Sequence, residues 1–218
     1  AAFERVQAYL EDFLRSRHDS APQGDIVDGI VAGVDKNGET CPWEDRVYAA
    51  LDVVFGGLAT TTHAVAAAIF HLAVNPDIRR DLLANPDLVD NAVEETVRLY
   101  APVVAPARTV TRSVAIAGVQ FEPGDRVALN LAAASRDPDA CANPSDFDLR
   151  RNDIVHTAFG VGPHRCLGEH LARLEIKVTI EEFLKRIPDF SLKPGTWPGH
   201  TSEQMRSMRD LHLVWPSQ

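Results

Sequence analysis

Cysteine is scarce in this sequence. Only Cys41, Cys141 and Cys166 occur among the 218 residues, at no paired spacing. An odd and sparse set of this kind does not provide the disulfide framework of a small secreted domain, and it suits a reducing compartment. The opening residues AAFERVQAYLEDF carry acids within an amphipathic helical pattern, which is unlike a signal peptide. We therefore predict a cytoplasmic protein.

Basic residues are also few. The chain has 22 Lys and Arg against 31 Asp and Glu, which gives a net charge of −9. Since nucleic-acid-binding domains usually carry a basic surface, we predict no nucleic-acid partner. No run of about 18 uncharged apolar residues occurs, so we also expect no segment that crosses a membrane. The hydrophobic and charged fractions, 45% and 24%, are ordinary for a soluble globular protein.

Apolar residues recur at helical spacing through most of the chain. The pattern predicts helices over residues 3–14, 26–31, 42–74, 77–85 and 86–100. Between residues 101 and 129, alternating β-branched residues and turn sequences predict two or three short strands. One apolar stripe marks a long helix near the C-terminus: Leu167, Leu171, Leu174 and Val178. The predicted fold class is mainly α with a small β portion.

The long helix over residues 42–74 contains a poor helical stretch, FGGLATTTH. Gly56 and Gly57 each cost roughly 1 kcal/mol relative to alanine, and the threonine hydroxyls that follow can bond to carbonyls one turn back. Two explanations remain open. Another group packs close to the backbone here, or a second helix crosses at the glycines.

The densest group of unusual residues surrounds Cys166, in FGVGPHRCLGEH at the start of the last long helix. The positive end of a helix favours a thiolate, and glycines let the backbone approach a flat group. A nucleophile would need a partner base and an orienting carboxylate, for which no known pattern is present. A zinc site would need more ligands than Cys166 and His170. A haem ligand needs one thiolate in a rigid loop, and the glycines argue against a merely structural cysteine.

The stretch Phe159 to Gly168, F-G-x-G-x-H-x-C-x-G, resembles the haem-binding loop of the cytochrome P-450 family. Three more motifs stand in the family's order. Glu95 to Arg98 resembles the E-x-x-R element, FDLRR at residues 147–151 resembles the F-D-x-x-R element, and GGLATTT resembles the oxygen-binding bend. The likeness covers nearly the whole chain and is greatest to the soluble bacterial branch that includes camphor hydroxylase. It implies that residues 1–218 are the C-terminal, haem-ligating part of a single domain whose N-terminal half is absent.

The resemblance implies a role for each matching residue near the cysteine. Cys166 would ligate the iron of haem b (iron protoporphyrin IX), with Phe159 packed beside the thiolate. His164 and Arg108 would hold the haem propionates. The cofactor-binding set also includes Gly160 and Gly168.

A buried ionic triad is also implied. Glu95, Arg98 and Arg151 would form it, with Arg150 as the alternative to Arg151. Without the resemblance, Glu95 and Arg98 would equally suit an ordinary surface pair at helical spacing.

On the oxygen-binding side, the resemblance implies that Gly56, Gly57 and Thr60 line the pocket and that the Thr60 hydroxyl bonds to the bound oxygen or its water. Ala59 departs from the family, which usually has an acid there to deliver protons. Asp52 lies about two turns earlier on the same helical face. It could reach the pocket through water, although an ordinary polar residue is the favoured interpretation.

The substrate cannot be read from the chain, but two residues are candidates for its pocket. Val103 and Val104, just before the first strand, would edge the pocket or belong to the core. The substrate would be small and apolar, with a terpenoid-like compound as one option.

The resemblance implies a monooxygenase that inserts one oxygen atom from dioxygen, with electrons from a ferredoxin. A basic cluster near the cysteine would dock that ferredoxin or would be solvated helix charge: His164, Arg165, His170 and Arg173. One alternative is a peroxide-driven or uncoupled haem-thiolate protein, because of Ala59. Another is an inactive haem-binding fragment. We also expect the N-terminal half, or a second polypeptide, as a partner, because without it apolar helix faces would be exposed.

Overall fold

The computed structural model describes residues 2–201 and 205–216. Within that part, the helices are α1 Ala2–His18, α2 Ile26–Ala32, α3 Trp43–Val74, α4 Pro76–Ala84, α5 Val89–Tyr100, α6 Leu131–Ala134 and α7 Glu169–Arg186. The strands are β1 Ala107–Thr109, β2 Val114–Ile116, β3 Val119–Phe121, β4 Arg126–Ala128, β5 Ser191–Leu192, β6 Gly199–His200, β7 Met208–Arg209 and β8 Leu213–Val214. The predicted class, mainly α with a small β portion, is confirmed.

The strands form two-stranded antiparallel pairs. β1 pairs with β4, β2 with β3, β5 with β8, and β6 with β7. The sequence predicts two or three strands between residues 101 and 129, whereas the structure has four. The difference arises because tight turns divide the alternating pattern, one of them at Ala117 and Gly118, which both have positive φ.

The chain divides into two compact units, residues 1–59 and 60–218. The first unit has its own small core, in which α1 contributes Leu10 and Leu14 and the first turns of α3 contribute Val47, Ala50 and Leu51. Asp25 caps α2 by accepting hydrogen bonds from the backbone N–H groups of Val27 and Asp28.

The second unit holds the larger core. Its buried apolar residues come mainly from the last turns of α3 and from α4, α5 and α7, and α5 packs directly against α7. The most deeply buried of them include Ala92, Val93, Ile176, Ile180 and Phe190. This packing positions the segment between residues 135 and 168, which has little regular structure and carries the candidate site.

The predicted helix after the cysteine is present as α7, but its predicted apolar stripe lies on the exposed side. The exposed fractions are 85% at Leu167, 58% at Leu171, 55% at Leu174 and 46% at Val178. Ile176, Ile180 and Leu184 make the buried face instead. α7 therefore has two apolar faces, and only one of them packs against other residues that the structure describes.

Among the described residues, α3 is the one helix that is long and apolar enough to cross a membrane, judged by length and composition alone. Threonines and histidines interrupt its apolar run, so a count of purely apolar residues overlooks this segment. The core helix of a soluble protein has the same length and composition.

Candidate functional site

The cysteine loop, residues 157–168, folds back on itself. The Cys166 N–H donates a hydrogen bond of 2.8 Å to the Phe159 carbonyl. Gly160 and Gly162 have φ values of 70° and 69°, a conformation that side-chain-bearing residues rarely adopt. These two glycines therefore make possible the turn that joins Phe159 to Cys166.

Cys166 lies just before the amino end of α7. Gly168 is the N-cap of that helix and offers no side-chain acceptor, so the N–H groups of the first turn stay directed towards the loop. An ideal Cβ added at Gly162 or Gly168 would meet no atom within 4 Å. The thiol residue is itself exposed. The loop thus presents a sulfur at a positive helix end, beside backbone that no side chain covers.

This geometry separates the possible uses of the cysteine. A structural cysteine is normally buried, as Cys141 is, whereas Cys166 is exposed. In the part of the chain that the structure describes, no group of three or more His, Cys, Asp or Glu side chains could hold a metal ion. Zinc is therefore not supported by a ligand set, and a group that needs a single thiolate fits best.

The arginines next to the cysteine are paired with glutamates. Glu169 accepts hydrogen bonds from Arg165 Nε at 2.6 Å and from Arg173 Nη1 at 2.8 Å, and these bonds lower the pKa of Glu169 to about 2. Arg173 Nε also donates to Glu94 Oε1 at 2.5 Å. The basic docking cluster expected from the sequence is therefore largely neutralised by acids that come from α5 and α7.

Glu94 has a second partner that the sequence does not reveal. His156 Nε2 lies 2.8 Å from Glu94 Oε2. Burial opposes ionisation of Glu94, but the hydrogen bonds from His156 and Arg173 outweigh it and lower the pKa of this carboxyl to about 2. Neither Glu94 nor His156 belongs to the motifs, so only their contacts reveal them.

The expected ionic triad lies together in the second unit. Glu95 and Arg98 have completely buried side chains, joined by bonds of 2.6 Å and 2.9 Å. Arg151 Nε donates to Glu95 Oε1 at 3.1 Å, and the Asp148 N–H donates to Oε2 at 2.9 Å. Arg98 also donates to the carbonyls of residues 135, 144 and 146. The pair is therefore buried, unlike an ordinary surface pair.

The alternative arginine lies elsewhere. Arg150 forms an exposed ion pair with Asp81 of α4, in which Nη2 and Oδ1 are 2.8 Å apart. Arg151, rather than Arg150, contacts Glu95.

The two expected propionate-binding residues lie on different elements. His164 is exposed and ends a 3-10 turn at Gly162–His164. Arg108 is exposed on β1, and its guanidinium donates to the Ala107 carbonyl at 2.9 Å. Among the described residues, neither side chain pairs with a carboxylate or with the other. Both remain available to an anionic group.

The oxygen-side candidates lie on α3, which is α-helical throughout its length. In the first unit, Asp52, Gly56 and Gly57 are exposed and Ala59 is half-buried. A Cβ added at either glycine would meet no atom within 4 Å. Thr60, the first residue of the second unit, is half-buried.

Val103 and Val104 are half-buried and stand outside the main core. Their backbone is held in place, because Val103 forms a β-bridge with Met205 and the Val104 carbonyl accepts from the Ala132 N–H at 3.3 Å. The side chains keep enough exposure to border a pocket.

Comparison with known proteins decides the family. The family model described as Cytochrome P450 matches residues 81–211. This chain belongs to the cytochrome P450 family. The resemblance read from the motifs is therefore confirmed, and membership implies a haem cofactor.

Relatives match the chain along most of its length. The Biotin biosynthesis cytochrome P450 of Bacillus subtilis (strain 168) is 32% identical over 97% of this chain and 53% of its own length. The Vitamin D(3) 25-hydroxylase of Pseudonocardia autotrophica is 34% identical over 89% of this chain and 48% of its own length. The chain spans about half the length of the relatives it matches.

Solved structures of the family share the fold. The crystal structure of P450BioI with an acyl carrier protein ligated to hexadec-9Z-enoic acid has a TM-score of 0.87 and 30% identity, over 97% of this chain and 54% of that one. The structure of CYP109E1 from Bacillus megaterium with corticosterone has a TM-score of 0.90 and 26% identity, over 97% and 57%. The described residues fit a haem, since an exposed thiol at a helix end lies beside bare glycine backbone.

Proposed function

We propose that this chain is the haem-ligating part of a monooxygenase that inserts one atom of dioxygen into a small apolar substrate. The observation that carries the proposal is the exposed Cys166 thiol at the uncapped amino end of α7, in a loop closed by its own N–H bond to Phe159. The hydroxylases among its relatives agree with this activity.

The cofactor of the proposal is haem b. When bound, the haem supplies the activation of dioxygen. Cys166 provides the thiolate ligand, and the helix end stabilises its negative charge. The exposed side chains of His164 and Arg108 bind the propionates, for which an arginine guanidinium is well shaped.

A buried group of ion pairs stabilises the segment that precedes the cysteine loop. The triad of Glu95, Arg98 and Arg151 ties α5 to the loop over residues 142–148 and takes no part in the chemistry. Gly160 and Gly168 keep side chains away from the cofactor, and Phe159 packs beside the thiolate.

The electron donor of the proposal is a ferredoxin that docks beside the cysteine loop. Exposed His170 remains there to meet it. Because Glu94 and Glu169 neutralise Arg165 and Arg173, this surface offers little electrostatic steering, so we expect the association rate to depend only weakly on salt.

The remaining partners are the substrate and the rest of the family fold. We propose that the part of the fold that this chain does not span, on the same or a second polypeptide, covers the exposed aliphatic stripe of α7. The substrate is a small apolar molecule, for example terpenoid-like, and Val103 and Val104 edge its pocket. The acidic composition and the few cysteines favour a cytoplasmic protein without a nucleic-acid or membrane partner.

A second candidate is a peroxide-driven or uncoupled haem-thiolate protein. Ala59 supports it, since no carboxylate stands at that position to relay protons to Thr60. An inactive haem-binding fragment is the third possibility, and the absence of any haem binding would favour it.

A haem titration of the purified chain tests the assignment of Cys166. With carbon monoxide, the reduced wild type is expected to show the long-wavelength Soret band of thiolate-ligated haem. Cys166→Ser is expected to lose that band, because a hydroxyl does not replace the thiolate. Cys41→Ser and Cys141→Ser are the matched controls and should keep it. A wild type and a Cys166→Ser variant with identical spectra would contradict the assignment, and a pyridine haemochrome spectrum identifies haem b.

A further inference from the structure

A chain of ion pairs and one histidine hydrogen bond joins α5 to the cysteine loop. It begins at Arg165 in the loop, passes through Glu169 and Arg173 of α7, reaches Glu94 of α5, and ends at His156. The loop is therefore held at Arg165 and at His156, the residue just before it, on either side of the segment that contains Phe159. Both points connect, directly or through α7, to the same carboxylate of α5.

His156 is fixed by both of its ring nitrogens. The Ala158 N–H donates to Nδ1 at 3.2 Å, which requires a lone pair there, so Nε2 carries the proton and donates to Glu94. The side chain is only 5% exposed. A buried ring with both nitrogens bonded holds the backbone of residues 156–158 against α5.

The Phe159 ring is held by the same two residues. The Arg173 guanidinium carbon lies 4.4 Å from the ring centroid, and the His156 ring is 5.8 Å away. The backbone carbonyl of Phe159 accepts the Cys166 N–H. The ring is thus fixed by a clamp that consists of Glu94, His156 and Arg173, and the Phe159 carbonyl is fixed by the Cys166 N–H. A displacement of the ring is therefore passed to the loop that carries the thiol.

We propose that Glu94 is a positioning residue for Cys166. It acts through His156 and Arg173, which hold Phe159, and so determines where the thiol stands. Its neighbour Glu95 has a different task, because Glu95 contacts Arg98, Arg151 and the Asp148 N–H and makes no hydrogen bond to the cysteine loop among the described residues. Only the spectroscopic consequence of the proposal rests on the proposed haem function.

Amide hydrogen exchange of the chain without haem tests the clamp directly. In Glu94→Gln, the amides of Ala158 and Cys166 are expected to exchange about tenfold faster or more, because the charge-assisted bonds from His156 and Arg173 to the carboxylate are lost. The matched control is Asp90→Asn. Asp90 pairs with Lys177 at 2.8 Å and so links the same two helices without contacting the loop. Its loop amides should exchange as in the wild type.

Arg173→Lys provides a second test that keeps the charge but removes the planar group over Phe159. It is expected to accelerate hydrogen exchange at the same amides, to a smaller extent than Glu94→Gln does. Unchanged exchange at Ala158 and Cys166 in Glu94→Gln would overturn the proposal, as would equal acceleration in Asp90→Asn. Far-ultraviolet circular dichroism and the amides of Ile176 and Ile180 show whether each variant is folded.

With haem bound, Glu94→Gln is expected to show a larger fraction of the shorter-wavelength carbon monoxide band, and Asp90→Asn is not. An equal fraction of that band in both variants would show that Glu94 does not affect thiolate ligation. If no variant binds haem while Glu94→Gln still accelerates exchange of the loop amides, the proposed clamp is supported and the proposed function is wrong. The two results are therefore distinguishable.

Discussion

At the scale of residues, the two adjacent glutamates of α5 show how position decides the role of a side chain. Glu94 and Glu95 have the same chemistry, but Glu95 is completely buried with Arg98, whereas Glu94 faces His156 and Arg173. Successive residues of a helix point about 100° apart, so neighbours meet different parts of the chain.

The buried triad makes a stability prediction. Glu95→Gln leaves the Arg98 charge without its carboxylate, and we expect the free energy of unfolding to fall by about 3–5 kcal/mol in urea denaturation. Arg150→Gln removes an exposed ion pair with Asp81, and we expect a loss below about 1 kcal/mol. Equal losses in the two variants would contradict the triad's structural role.

His71 makes a prediction about pH. It is buried, stacks on Phe147 and lies 2.8 Å from the Tyr100 hydroxyl through Nδ1. Burial lowers its pKa from 6.5 to about 4, and the nearby Glu95 carboxylate offsets only part of this effect.

Because the unfolded chain takes up this proton near pH 6.5 and the folded chain near pH 4, stability falls as the pH drops between these values. At about 1.4 kcal/mol per pKa unit the total is about 3 kcal/mol. Urea unfolding at pH 7 and pH 5 measures the slope. His71→Gln should flatten it, and the exposed His212→Gln should not. A slope unchanged in His71→Gln would refute this assignment.

At the scale of elements, α7 is the most informative helix. Its N-terminus points at Cys166, one face packs on α5, and the opposite face leaves a row of leucines exposed. An amphipathic pattern shows that a face is apolar, but it does not show which neighbour covers that face.

The two faces of α7 should respond differently to substitution. Ile176→Ala creates a cavity in the core and is expected to cost about 2–5 kcal/mol. Leu171→Gln changes an exposed side chain and is expected to alter stability by less than about 0.5 kcal/mol, while reducing self-association of the isolated chain. Urea denaturation and light scattering measure the two effects. A large destabilisation by Leu171→Gln would show that this face is packed.

At the scale of the whole molecule, the chain covers about half of the family fold, and function depends on how that fold is completed. The acidic overall charge and the neutralised cluster around Arg165 and Arg173 both indicate little electrostatic attraction for an acidic partner. For the proposed electron donor, we therefore expect docking to depend more on shape than on long-range attraction.

The complete protein tests the importance of Ala59. We expect product formed per NADH consumed to be well below one, with peroxide released, and Ala59→Asp to raise this ratio because its carboxylate can relay protons beside Thr60. Ala59→Asn is the control, since it has a similar size and no acid. Tight coupling in the wild type would show that another group delivers the protons.

The family, the mainly α class and the candidate ligand Cys166 could all be predicted from the amino-acid sequence alone. These features depend on local patterns, such as helical periodicity and the glycines and cysteine of one loop, and local patterns can be read along the chain. The positions of Glu95, Arg98 and Arg151 could also be anticipated, because their motifs are recognisable.

The partner of each charged residue, in contrast, could be identified only from the folded chain. Glu94 and His156 are separated by 62 positions, and no spacing rule links them. The exposure of Leu171 and the neutralisation of Arg173 likewise depend on how α5 and α7 pack. The physical reason is that ion pairs and burial are set by distances in space, whereas the sequence directly specifies only the neighbours within one helical turn or one tight loop.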